Sequence, residues 1–181
     1  MKRRDVYAAI HCRSHYSLLQ GLASPGELCE AAAALGSEAV GIADINNFYG
    51  LIRFASEASR RGLKALYGVA VHRRGRHLCT LLCRNRRGFA RANEIIGGLL
   101  ASGDYDPVEE LRSGGWRGLA VVVRDAGALR RLAVVARARG EEGLYAGLVY
   151  GYPYDGMRRR AQDLGVPLFA FNDAVYLEEE R

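Results

Sequence analysis

Residues 11–21 read HCRSHYSLLQG and follow the strand-like run DVYAAI. Two histidines, two serines and a tyrosine at the end of an apolar strand are the residue types with which a chain begins a metal site. Arg13 sits between the histidines. A guanidinium stays charged at any accessible pH and repels a second cation. The stretch is therefore either a working site or the remnant of one, and the rest of the chain decides which.

Outward from this stretch, short apolar runs alternate with helical patterns. Strands are predicted at 6–12, 39–44, 64–72, 76–85, 118–125, 144–151 and 166–173, several of them apolar almost throughout, as in a parallel sheet covered on both faces. SPGELCEAAAALG carries Ser24 as N-cap, Pro25 at N1 and Glu27 at N3, a capping box, and stops at Gly36. NNFYGLIRFASEASRRG places Leu51, Phe54, Ala55 and Ala58 on one face. RGFARANEIIGGLL, AGALRRLAVVARARG and DGMRRRAQDLG complete the helices, and the segment around 101–118 reads as a loop with one helical turn. Strand–helix alternation of this kind predicts an α/β domain with a mostly parallel sheet, either a barrel or a doubly wound sheet. In both, chemistry gathers at the C-terminal strand ends, where His11, Asp44 and Asp173 fall.

The bulk properties are those of an ordinary globular chain. One domain spanning 1–181 is expected from 181 residues, with 49% hydrophobic and 25% charged residues. No run of 18 or more apolar residues is present, so no membrane span is expected, and the cytoplasm is the expected compartment. Cys12, Cys29, Cys79 and Cys83 form no C-x-x-C pair and read as buried free thiols. The net charge of +6 and pI near 9.3 suit a polyanionic neighbour such as DNA, although the arginines are dispersed rather than banded. No nucleotide-binding glycine loop and no nucleophile elbow occur, and Ser14 and His15, adjacent on a strand, would face opposite ways.

Four segments carry a family resemblance together: HCRSHYSLL, GIADINNFYG, LYGVAVH and FNDAVYL. In this order they resemble the polymerase-and-histidinol-phosphatase (PHP) domain, nearest to the N-terminal PHP domain of bacterial DNA polymerase III alpha subunits and their error-prone relatives. The family pattern runs H-x-H-S-x-Y-S-L-L-x-G, T-D-H-x-N-x-Y-G, G-x-E and N-D-x-H-Y-L. Matching framework positions include Ser14, Tyr16, Ser17, Gly21, Asp44, Asn47, Tyr49, Gly68, Asn172, Asp173 and Tyr176. LLCRNRRGFARANEII also looks like the family's segment after its G-x-E strand. The resemblance implies a distorted (β/α)7-type barrel, here shortened between residues 100 and 145. It also implies a metal cluster that hydrolyses phosphoesters or proofreads as a 3′–5′ exonuclease.

Carried over residue by residue, the implied ligand set is largely lost. His11, Asp44 and Asp173 keep a donor, whereas the remaining ligand positions hold Arg13, Ile45, Ala70 and Val175, and no histidine follows His77. Zinc or manganese ordinarily takes at least three protein donors. At about 5 Å, an arginine beside a dication costs several kcal/mol at an effective dielectric of about 20. The expectation is a vestigial site on His11, Asp44 and Asp173, with no catalytic residue and no cofactor, and with Arg13 paired to Asp44 or Asp173 in place of the metals. The chain is then a structural or interaction domain of a DNA polymerase III alpha-like system in replication or repair, partnered by a polymerase catalytic core in cis or in trans. Two alternatives are a residual zinc- or manganese-dependent phosphoesterase or exonuclease, and a basic DNA-binding module.

Overall fold

The computed structural model describes residues 8–149 and 155–171. The described residues divide into two compact units, one running up to Gly68 and the other Val69–Phe171.

The first unit holds β1 (Ala9–Cys12), α1 (Pro25–Ala34), β2 (Ala39–Ile45), α2 (Leu51–Arg60) and the opening residues of β3 (Lys64–Arg73). β1 pairs in parallel with β2, and its register slips between Ala9↔Val40 and Cys12↔Ile42, so β1 carries a bulge. Gly41 makes the close approach possible: a Cβ there would lie 2.5 Å from the Ile10 carbonyl oxygen. Beyond the bulge His11, Cys12, Arg13 and Ser14 are all buried in succession, which an undisturbed alternating strand does not allow. Leu28, Cys29, Val40, Ile42, Phe54 and Ala58 form the core of this unit.

The predicted capping box of α1 is present. Ser24 Oγ accepts from the Glu27 amide at 3.2 Å, and Glu27 Oε2 accepts from the Ser24 amide at 2.7 Å. Ser24→Ala is expected to cost about 1 kcal/mol, read as a shift in the urea midpoint at unchanged slope.

The second unit takes the rest of β3, then β4 (Arg76–Cys83), α3 (Arg86–Ala101), α4 (Pro107–Gly114), β5 (Leu119–Val123), α5 (Ala126–Arg139), β6 (Leu144–Val149), α6 (Asp155–Leu164) and β7 (Leu168–Phe171). β3 and β4 are joined by the two-residue turn Arg74–Gly75, with φ of 51° and 74°. Two consecutive positive φ values make the tight turn that suits a twisted hairpin. β4 is antiparallel to β5, whereas β5, β6 and β7 run parallel. The expected mostly parallel sheet thus has its exception at β4, because a two-residue connection can only reverse the chain.

The segment around 101–118, expected to be a loop with one turn, contains the eight-residue helix α4. Asp106 caps it, its carboxylate accepting from the Val108 and Glu109 amides at 2.9 and 3.3 Å, and Pro107 occupies the first turn. Arg91 of α3 donates to the Glu110 carbonyl at 3.0 Å, and Arg131 of α5 reaches Asp106 and Glu109 at 3.2 and 3.0 Å, so α4 is tied to both neighbours. Trp116 is the largest wholly buried side chain among the described residues, and its Nε1 donates to the Glu142 carbonyl at 2.9 Å. All four cysteines are free; Cys79 is wholly buried, and burial pushes its thiol up to about 12.

Candidate functional site

The C-terminal ends of β1 and β2 lie side by side, and the site is built from the loop that follows each. The chain leaves β1 at Cys12, so Arg13 and Ser14 lie in irregular backbone past the strand and His15 opens a turn. Ser14 is fully buried while His15 is exposed and lies against the Tyr16 ring, with centroids 4.5 Å apart. Ser14 and His15 are thus separated in burial as expected, although neither lies on the strand.

Asp44, near the end of β2, is 2% exposed. Its Oδ1 accepts from the Ser14 amide at 2.7 Å and from Ser17 Oγ at 2.6 Å, and its Oδ2 accepts from Ser14 Oγ at 2.7 Å. These are short, charge-assisted hydrogen bonds, about twice as strong as neutral ones. The hydroxyls are used a second time: Ser14 Oγ accepts from the Tyr16 amide at 3.2 Å, and Ser17 Oγ from the Ile45 amide at 3.1 Å. Asn47 continues the stitching, donating to the Ile45 and Tyr16 carbonyls at 2.8 and 3.1 Å and accepting from the Tyr49 amide at 3.1 Å. The loop after β1 is thus sewn to the loop after β2 by one carboxylate, two hydroxyls and one amide side chain.

Gly21 closes the loop. A Cβ there would overlap the Ser14 carbonyl, so only glycine lets the returning chain lie against the residue that binds Asp44.

Arg13 is buried beside this clasp, and its Nη1 donates to Gln20 Oε1 at 3.0 Å. The expected Arg13–Asp44 pair does not form. Among the described residues the partners of the Asp44 carboxylate are Ser14 and Ser17, because hydroxyl and amide donors from the same turn already occupy both oxygens. The other expected pair, with Asp173, lies outside the described residues, as do Asn172, Val175 and Tyr176.

His11 is buried at the end of β1. Cys12 follows it with its thiol pushed up to about 12 by burial first and then by Cys29 and Asp44, so at neutral pH it is an uncharged S–H and not a thiolate. Ile45 offers only its backbone to the network, and in the second unit Ala70 is wholly buried. Among the described residues no three His, Cys, Asp or Glu side chains come together closely enough to hold a metal ion. His72 and His77 flank the turn of the β3–β4 hairpin, edge to face with ring centroids 5.1 Å apart.

Ser14, Ser17 and Asn47 match framework positions in the sequence, which by itself assigns them no task. The available signal was the S-x-x-S spacing, since two hydroxyls three residues apart in a tight turn can converge on one carboxylate.

The PHP domain model matches residues 9–123, and the chain belongs to the PHP domain family. It is 35% identical over 152 residues to an error-prone DNA polymerase of Anaeromyxobacter sp. (strain K), a match covering 81% of this chain and 12% of that polymerase. It is 41% identical over 63 residues to the DNA polymerase III alpha subunit of Buchnera aphidicola, covering 36% of this chain and 6% of the subunit. The chain therefore spans only a small part of the length of these relatives. Among solved structures, a Bifidobacterium adolescentis protein assigned as a metal-dependent phosphoesterase superposes with a TM-score of 0.67 at 15% identity, covering 97% of this chain and 90% of that one. A two-domain Bacteroides vulgatus protein containing a predicted PHP-like metal-dependent phosphoesterase gives 0.63 at 10% identity, covering 93% and 51%. At these identities the likeness is one of fold, and it agrees with a shortened PHP-type α/β architecture.

Proposed function

We propose that this chain is a single, metal-depleted PHP domain that serves a structural or interaction role in a DNA polymerase III alpha-like system. Its partner is a polymerase catalytic core, in cis or in trans, and its compartment is the cytoplasm. The observation that carries the reading is the state of Asp44. A carboxylate that accepts three short hydrogen bonds from Ser14 and Ser17 is committed to holding two loops together.

The residues present do not fit a divalent ion. Asp44 has its oxygens engaged, Arg13 brings a buried positive charge to the same turn, and Ile45 stands where the family pattern has a histidine. Cys12 is held as a neutral thiol. On this reading His11 and Asp44, with Asp173, survive as a remnant whose carboxylate has passed from ligation to architecture. Relatives are polymerases by name, and a domain attached to such an enzyme can be retained for the surface it presents after its own chemistry has lapsed.

The test is a phosphodiesterase and exonuclease assay with added manganese or zinc. The reading predicts no turnover above buffer with a small activated phosphodiester or with a labelled DNA 3′ end. Metal-dependent turnover abolished by His11→Ala would contradict it and would favour the residual phosphoesterase.

A further inference from the structure

Among the described residues, some arginines are neutralised by a neighbouring carboxylate and others, Arg74, Arg130 and Arg158–Arg160 among them, are exposed without one. Arg60, Arg61, Arg76, Arg91, Arg112 and Arg131 each lie within ion-pair distance of a carboxylate. Arg84, Arg86, Arg87 and Arg117 are all exposed, and among the described residues no side chain neutralises any of them.

These four belong to one place in the second unit. The Arg84 amide donates to the Gly118 carbonyl at 2.9 Å, which brings Arg84 beside the residue that follows Arg117. Arg86 and Arg87 open α3 immediately after the N-cap Asn85. The junction is rigid: Gly88 packs so closely on Gly118 that a Cβ would overlap its carbonyl, and Asn85 Oδ1 accepts from the Gly88 amide at 3.0 Å. The Glu141 carboxylate accepts from the amide of Trp116, the residue before Arg117, at 3.2 Å.

Concentrating uncompensated guanidiniums here is unfavourable in isolation. Arg86 and Arg87 stand at the positive end of α3, whose first turn has no acidic residue to offset them. A phosphodiester backbone would supply that charge, because guanidiniums bind phosphate oxygens in a bidentate fashion and the Arg86 and Arg87 amides lack intrahelical acceptors. The relatives of this chain are DNA polymerases, so the polyanion at hand is DNA.

We infer that Arg84, Arg86, Arg87 and Arg117 form a contact surface for the phosphate backbone of duplex DNA. The contact is independent of base sequence, since exposed guanidiniums on a helix end and a loop have no groove-reading element behind them. The inference goes beyond the metal-depleted reading and does not rest on it, for the arginines would serve a metal-loaded chain equally well.

The experiment measures binding of a short labelled duplex to the full chain by fluorescence anisotropy between about 50 and about 200 mM salt. Arg86→Ala/Arg87→Ala is compared with Arg158→Ala/Arg159→Ala, an equal charge loss on exposed positions of α6. Circular dichroism confirms that both variants fold. Wild-type affinity is expected to fall steeply with salt, and the α3 variant to lose about two units of the log–log slope, one per phosphate contact, while the α6 variant keeps the wild-type slope. Absence of binding at the lowest salt, an unchanged slope in the α3 variant, or equal loss in both variants would overturn the inference. So would displacement of the DNA by polyglutamate at equal charge concentration.

Discussion

Asp44→Ala is expected to destabilise the protein by about 4 kcal/mol, since three buried donors lose a charged acceptor and each such loss costs about 1–3 kcal/mol before relaxation. The Ser14 amide and the Ser14 and Ser17 hydroxyls would be stranded in a pocket that Asp44 fills at 2% exposure. Asp44→Asn keeps one acceptor oxygen but turns an NH2 group toward a donor, and should fall between wild type and alanine, near 2 kcal/mol by the same rule. A residue kept for metal binding behaves differently. Functional ligands are commonly neutral or even unfavourable for stability in the apo protein, so their removal leaves the melt unchanged or raises it. Urea denaturation of the two variants therefore separates an architectural aspartate from a ligand. Ser14→Ala combined with Asp44→Ala should cost less than the sum of the two single changes, because the pair acts as one unit.

Trp116→Ala is expected to cost about 4 kcal/mol as well, through a cavity in the second unit and the loss of an indole hydrogen bond. The indole is wholly buried and its Nε1 is bonded to the Glu142 carbonyl at 2.9 Å. Trp116→Phe fills most of the volume but strands that carbonyl, and should cost about 1–2 kcal/mol. If both substitutions cost the same, the hydrogen bond and not the packing holds the loop before β5. Both are measured as shifts of the urea midpoint, with circular dichroism as the probe, since the only tryptophan is the one removed.

Much of the fold was legible because each element carries its own local signal. The capping box at Ser24 and the apolar runs of β2, β5 and β6 rest on interactions within a few residues, and the elements appear within a residue or two of the expected bounds. α4 was hidden by the serines and glycines around it, although Asp106, Pro107 and the Glu109–Arg112 spacing are helix signals; tertiary ties to Arg91 and Arg131 tip the balance. The direction of β4 left no mark on its composition, because an apolar strand covered on both faces reads alike in either sense. Only the Arg74–Gly75 turn encodes it.

The site was legible in its parts and not in its connections. Motif spacing identified Asp44, Ser14, Ser17 and Asn47, but spacing says which residues gather and not which atoms meet. Charge complementarity offers Arg13 to Asp44 or to Asp173, the latter outside the described residues. The structure gives Asp44 to an amide and two hydroxyls of the loop after β1, which occupy both carboxylate oxygens, while Arg13 of the same loop donates to Gln20.

The most direct test of the account is the metal stoichiometry of the full chain. Purified without chelator, dialysed against zinc or manganese and then against metal-free buffer, it should carry far less than one ion per chain by elemental analysis, with an unchanged thermal midpoint. One or more tightly held ions per chain, lost in His11→Ala and accompanied by a higher midpoint, would contradict the claim that the strand-end carboxylate now serves structure alone.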